Sequence, residues 1–463
     1  MSVTPSHADN IDDKSAVCVI VGHGIEAITS AVVLASLGQT VHLYADMDIL
    51  AQQLQQYGFE RHLQALWQMY DQQQQIVSQA LPNSADKLLQ IYKAPAADSQ
   101  DDSTIKVAQH TKDDTAVALY WLFLDSIKST WQDDSWISAF NYSDEQTLPM
   151  VLSGIEALGR VANIAARLKR AWVYYVPFVF LQDGDAYSSM LSPSLWLLGE
   201  KTADSSRQHL RPLQPLMQHA SASHCADIAT IEFARSSIMS MLATRVSFMN
   251  GLSRLADSHH IDIQEVSYIM GLDARVGSSY LKAGWGFGGN TLPSELQQLE
   301  QSAQASRVEM PLLQAIQHIN EDQKELIFRK FWQYFDGFID NKTVMIWGGS
   351  YKSGSGRTAG SAIHPLLALL WSYNIRTLIY SDKAKAELHS LYSEQPLLQL
   401  LDDPYTKLHS TQALFIMSWP LHYPLEISQI NKTAQPIFDA QNALTRPQIQ
   451  SLVGDYMGIG RAK

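Results

Sequence analysis

The sequence predicts an α/β protein: two doubly wound parallel-sheet domains joined by a long central helix and a helical middle segment. Three observations carry this. A strand, a glycine turn, a helix and a second strand follow one another between residues 16 and 46, which is the unit from which parallel sheets are built. The same alternation returns late in the chain, with strand patterns at 341–349, 375–382, 413–419 and 435–440 and a helix near 361–373. Between the two, residues from about Ile228 to Ser258 carry the apolar spacing of one long amphipathic helix.

Taken in order, the polar and acidic residues 1–14 are expected to form a disordered lead-in. AVCVIVGHG (16–24) is short, apolar, β-branched and closed by glycines, the pattern of a buried strand. IEAITSAVVLASLG (25–38) has helical spacing and a terminal glycine suited to a C-cap, and VHLYAD (41–46) is a second strand. Residues 50–110, rich in Gln, Asp and Ala, are expected to be helical or loop, with DSQDDST (98–104) an exposed acidic break. Strands follow at 116–124, 148–154 and 171–181, with a helix at 153–169 between the last two. The domain boundaries that result are 15–212, 213–330 and 331–463.

The composition excludes several classes. The 463 residues are 46% hydrophobic and 17% charged, which is globular rather than disordered or collagen-like. Two cysteines, Cys18 and Cys225, cannot form a disulfide framework or a four-thiolate zinc site, and no metal is expected. A net charge of −12 disfavours phosphate backbones, so nucleic acid is not an expected partner. No apolar run approaches the roughly 20 residues of a membrane span, and the first residues lack the apolar core of a secretory signal. A cytoplasmic protein without membrane association is the expectation.

The turn Gly22-His23-Gly24-Ile25-Glu26-Ala27 fits G-x-G-x-x-[GA] directly after a strand and before a helix. The first glycine permits the tight turn, the second lets a pyrophosphate approach the backbone, and Ala27 allows helix and strand to pack closely. The helix N-terminus offers N–H groups to phosphate, and Asp46, 22 positions after Gly24, is placed for ribose hydroxyls. The Rossmann-like reading is a dinucleotide site; the alternative is a glycine turn without a ligand. Glu26 weighs against the ligand, because its carboxylate would stand beside the phosphates.

Residues 271–295 read GLDARVGSSYLKAGWGFGGNTLPSE. Gly271, Asp273, Arg275, Gly277, Leu281, Gly284, Gly286, Phe287, Gly288, Gly289 and Pro293 follow, in order, the G-x-D-x-R-[IV]-G and L-x-x-G-x-G-[YF]-G-G-S-C-F-P-K-D stretches of the UDP-glucose/GDP-mannose dehydrogenase family, which the chain resembles. MLATRVSFMN (241–250), FLQDGDA (180–186), GGSYK (348–352), SWPLHY (418–423), FDAQN (438–442) and YMGIGR (456–461) extend the resemblance over about residues 15–461. It implies an N-terminal Rossmann domain for NAD, a central helix that builds a homodimer, and a C-terminal domain for a UDP- or GDP-linked sugar. It also implies a reaction that supplies polysaccharide synthesis: the sugar's C6 alcohol is oxidised twice to a uronic acid, with two NAD consumed and a cysteine carrying the thiohemiacetal and thioester. By the same resemblance Arg275 reaches the substrate of the neighbouring subunit, Lys352 contacts substrate, and Gly284–Gly289 present backbone groups to it.

The catalytic positions depart from the family. Thr291 stands where the cysteine is expected, and a hydroxyl needs an adjacent base and leaves poorly once acylated. Arg235 replaces the lysine and cannot act as a base. Met239 replaces the asparagine and offers no N–H to an oxyanion. Val179 replaces the P-E-F-L glutamate, Glu295 replaces the aspartate, and Gln441 the arginine of D-x-R-N. In strict register the ribose-binding aspartate falls on Ala45, so Asp46 serves through a one-residue shift. The expectation is a ligand-binding homologue impaired in the four-electron oxidation. The alternatives are an oxidoreductase with altered chemistry and a non-catalytic partner of an active relative.

Overall fold

The computed structural model describes residues 16–92, 116–131, 133–142, 147–203, 207–420 and 423–462. The lead-in expected at 1–14 and the acidic break at 98–104 lie outside these residues. The chain divides into two compact units, one up to Arg235 and one from Ser236.

In the first unit, β1 (Val17–Val21) is buried along its whole length, as the central strand of a sheet covered on both faces must be. After the glycine turn come α1 (Ile25–Ser36) and β2 (Thr40–Ala45), with Gly38 at φ +85° ending the helix in the left-handed region that glycine favours. β2 leads into α2 (Met47–Gln56) and β3 (Ile76–Ala80); β4 (Val117–Phe123) leads directly into α3 (Leu124–Thr130). Further elements, with short connecting helices between some of them, are β5 (Met150–Ser153), α4 (Arg160–Arg167), β6 (Val173–Tyr175), α5 (Ala186–Leu191), β7 (Trp196–Glu200) and β8 (Ser223–Asp227). Among the described residues the sheet runs β3-β2-β1-β4-β5-β6-β7-β8, parallel throughout except between β6 and β7. The order reverses between β1 and β4, so their carboxyl ends form the switch-point crevice in which open α/β sheets bind ligands.

Three expectations are corrected here. The strand expected over 171–181 is confined to Val173–Tyr175, because Pro177 follows and Phe178 takes φ +49°, turning the chain out of the sheet. The helix expected from 153 starts only at Arg160, because Gly154 (φ +135°) and Gly159 (φ +81°) interrupt it. The stretch read as helix or loop contains strand β3.

The loop that leaves β6 is anchored by Glu60, which is 3% exposed and accepts the N–H groups of Gly184 at 2.7 Å and Ala186 at 2.9 Å. Burial pushes this carboxyl up to about 7; the charge of Asp183 pushes the same way, and the two backbone bonds oppose. The folded chain therefore holds this proton more tightly than the unfolded chain. The stability it contributes is full below the ordinary glutamate range and is lost as pH rises toward 7. Urea titrations at about pH 5 and pH 7.5 should show the first unit losing on the order of 2 kcal/mol, and Glu60→Gln should flatten that slope.

A 32-residue helix, α6 (Ile228–His259), begins in the first unit and continues into the second, matching the expected span within a residue. The second unit then has α7 (Ile263–Leu272), α8 (Thr291–Ala305), α9 (Pro311–Tyr334) and α10 (Ile363–Ser372). Its strands are β9 (Thr343–Trp347), β10 (Arg376–Tyr380), β11 (Leu398–Leu401), β12 (Ala413–Ile416), β13 (Ile437–Asp439), β14 (Tyr456–Gly458) and β15 (Arg461–Ala462). They run β11-β10-β9-β12-β13-β14-β15, antiparallel only at the last pair. Phe331 of α9 packs on Phe415 and Phe438 with ring centroids 5.2 and 5.4 Å apart, seating the helix on the sheet. Trp419 and Tyr456 lie in the apolar core.

Candidate functional site

In the first unit the turn 22–27 joins β1 to α1. The N–H of Gly22 donates to Tyr44 O at 3.0 Å. A Cβ on Gly22 would lie 2.8 Å from that of Phe123 and 3.0 Å from that of Ala27, so its absence lets β1, β4 and α1 close on one another. Ala27 is fully buried in that contact. At Gly24 a Cβ would meet nothing within 4 Å, and no side chain caps α1 there. An open approach to a helix N-terminus is a geometry that can receive a phosphate group. Asp46 caps α2, with Oδ1 accepting from Asp48 and Ile49 N–H at 3.1 Å each, while Ala45 is buried in β2. Glu26 occupies the first turn of α1.

In the second unit the glycine loop is held by buried amides. Asn250 of α6 accepts the Gly284 N–H at 3.0 Å. Asn320 of α9 accepts from Phe287 N at 2.8 Å and donates to Phe287 O at 3.1 Å. Gln323 donates to Gly284 O at 2.8 Å while Arg254 donates to its Oε1. On the other side the loop meets residues 351–360. Gly289 N–H donates to Ala359 O at 2.8 Å, and a Cβ on Gly286, Gly288 or Gly289 would collide with Asn320, Gly360 or the Tyr351 ring. The glycines here are close-approach residues. Lys352 is exposed, its Nζ 5.8 Å from the Tyr351 ring centroid. Arg275 pairs with Asp273 at 2.7 Å and its side chain is 89% exposed. Gln441 accepts the Trp419 N–H at 2.6 Å and donates to Ser353 Oγ, fastening the 348–356 loop to the end of β12.

The positions expected to be catalytic fall in both units. In the first, Arg235 is buried at 3% exposure and donates to the carbonyl of Pro177. Val179 sits between Phe178 and Phe180, whose rings are buried with Trp121 and Trp196. In the second, Met239 is buried on α6, Thr291 is exposed in the first turn of α8, and Glu295 is buried one turn on, accepting from Ser236 Oγ at 2.8 Å. Sequence reasoning missed the scaffold residues. Glu232 accepts the N–H groups of Val161 and Ala162 at 2.9 and 3.0 Å, holding the start of α4, and Asn320 and Gln323 brace the loop. Their one signal is a polar residue on the inward face of a long helix.

Residues 229–322 match the central domain of the UDP-glucose/GDP-mannose dehydrogenase family. The UDP-glucose 6-dehydrogenase of Pseudomonas aeruginosa is 26% identical over 290 residues, covering 61% of this chain and 64% of that one. The enzyme of the same name from Rickettsia bellii is 24% identical over 284 residues, covering 61% and 65%. The chain thus matches a little under two thirds of the length of these curated relatives. Among solved structures, a UDP-glucose dehydrogenase from Pyrobaculum islandicum aligns at a TM-score of 0.75 and 16% identity, covering 98% of this chain and 100% of that one. A UDP-N-acetyl-mannosamine dehydrogenase from Staphylococcus aureus aligns at 0.66 and 14%, covering 96% and 98%. At these identities the two structures speak for the fold. The chain carries the central domain of the UDP-glucose/GDP-mannose dehydrogenase family, set in sequence between two Rossmann-like parallel-sheet folds.

Proposed function

We propose that the first unit binds NAD, that the second binds a UDP- or GDP-linked sugar, and that the chain does not complete the oxidation of the sugar's C6 alcohol to a uronic acid. One observation carries this reading: a fully braced glycine loop runs into a helix turn that presents a threonine hydroxyl instead of a thiol. Both cysteines belong to the sheet of the first unit, and burial pushes the Cys18 thiol up to about 12. NAD, when bound, would accept hydride from the alcohol carbon. Thr291 is poorly suited to holding the resulting aldehyde, and Arg235, donating to a backbone carbonyl, keeps its proton. Purified protein incubated with NAD and UDP-glucose or GDP-mannose should yield no steady production of two NADH per sugar. It should nevertheless show thermal stabilisation of a few degrees by both ligand classes. Two NADH per sugar would sink the proposal.

A second reading is favoured by the buried Ser236–Glu295 pair, a carboxylate one helical turn from Thr291. It is a single oxidation with one NADH per sugar, lost in Thr291→Ala.

The homodimer belongs to the same proposal. Phe233, Met241, Phe248 and Leu255, spaced eight and seven residues apart on α6, are each more than half exposed, as are Tyr268, Ile269 and Leu272 on α7. Such a stripe needs a cover. Light scattering should report a dimer for the native chain and a monomer for the Met241→Glu, Phe248→Glu double variant.

A further inference from the structure

We propose that His23 is a cofactor-binding residue whose ring takes up a proton as a dinucleotide's pyrophosphate enters the turn, so that NAD binds more tightly as pH falls. This rests on the reading of the first unit as an NAD site.

The position of the residue in the turn carries the argument. His23 lies between the two glycines of the turn, above the carboxyl end of β1, and its backbone N–H is fixed by Ser126 Oγ at 3.1 Å. Two carboxylates act on the half-buried ring, Asp46 from the end of β2 and Asp125 from the start of α3. A third, Glu26, stands in the first turn of α1. On the following segments Lys128 pairs with Glu156, and Arg160 with Asp134 at 2.6 Å. A pyrophosphate entering over Gly24 therefore meets negative side chains, and His23 is placed to offset them once protonated.

Burial is the largest influence on the free ring and holds its pKa below the ordinary value, with Asp46 and Asp125 pulling the other way. Two phosphate charges beside the ring favour the imidazolium and raise its pKa. Between the free and bound values each NAD takes up as much as one proton, and affinity falls by up to tenfold per pH unit as pH rises.

The test is calorimetric titration of the full chain with NAD from about pH 8 to pH 5.5, in buffer pairs of different ionisation enthalpy. About tenfold tighter binding at the acid end, with proton uptake approaching one per NAD, is expected. His23→Gln should abolish both the slope and the uptake while keeping the native circular dichroism, with His23→Asn as a second variant should the first fold poorly. Asp46→Asn should keep the slope and move it to lower pH, because Asp46 raises the His23 pKa. An undiminished slope in a folded His23 variant, or pH-independent binding by the native chain, would overturn the proposal. Failure of the folded native chain to bind NAD at every pH would overturn the cofactor reading itself.

Discussion

Replacing Gly288 with alanine should destabilise the second unit by about 2–4 kcal/mol and remove the stabilisation by nucleotide sugars proposed above. The added Cβ would stand 2.6 Å from the carbonyl oxygen of Gly360, 2.8 Å from its carbonyl carbon and 3.0 Å from the Tyr351 Cβ. The main obstacle is main chain, so no rotamer change relieves it. Neither strand of the contact can retreat freely: Gly289 N–H is bonded to Ala359 O at 2.8 Å, and Asn320 clamps Phe287 from the other side. The substitution must break one of these or push Tyr351 and Lys352 outward. Urea midpoints and thermal shifts with UDP-glucose measure the two effects. Gly251→Ala is the comparison, since nothing lies within 4 Å of its Cβ on α6 and alanine there should stabilise by up to about 1 kcal/mol.

Asp439→Ala should cost about 4 kcal/mol, because it strands donors rather than merely removing a contact. The carboxylate is fully buried at the end of β13. It accepts the N–H groups of Gln441 and Leu444 at 3.2 Å and the hydroxyl of Tyr456 at 3.0 Å. Burial raises its pKa and these bonds lower it, a balance that alanine removes from one side only. Each donor left dry costs about 1–3 kcal/mol. Asp439→Asn, which keeps an accepting oxygen, should cost less. In the Asp439→Ala, Tyr456→Phe double variant the losses should sum to less than the two single costs, because one stranded hydroxyl disappears. Equal denaturation midpoints for Asp439→Ala and the native chain would refute the assignment.

The elements legible from sequence are those whose strands are buried on both faces. β1, β9, β12 and β13 read as short apolar runs because a parallel sheet covers them above and below. β8, Ser-His-Cys-Ala-Asp, is half to fully exposed at the sheet edge and carries no such run. α9 escapes because its inward face includes Asn320 and Gln323, polar residues that become interior only through the loop they brace. The site divides in the same way. The glycines of 284–289 form a dense local pattern that a single segment displays. Glu60 finds its partners 124 and 126 residues away, and Glu232 finds its own 70 and 71 residues away. Nothing local to those carboxylates marks them.

The thiols described earlier have a practical consequence. Cys18 is sealed inside β1, Cys225 is half-buried in β8, and burial raises both above the ordinary thiol range. The native chain should therefore be nearly silent to maleimides and iodoacetamide. Thr291 is exposed on the first turn of a helix, the environment that favours a thiolate. A single Thr291→Cys replacement turns this quiet background into an instrument. A fluorophore would attach at that one place, and a ligand entering the second unit could be followed by the light it emits.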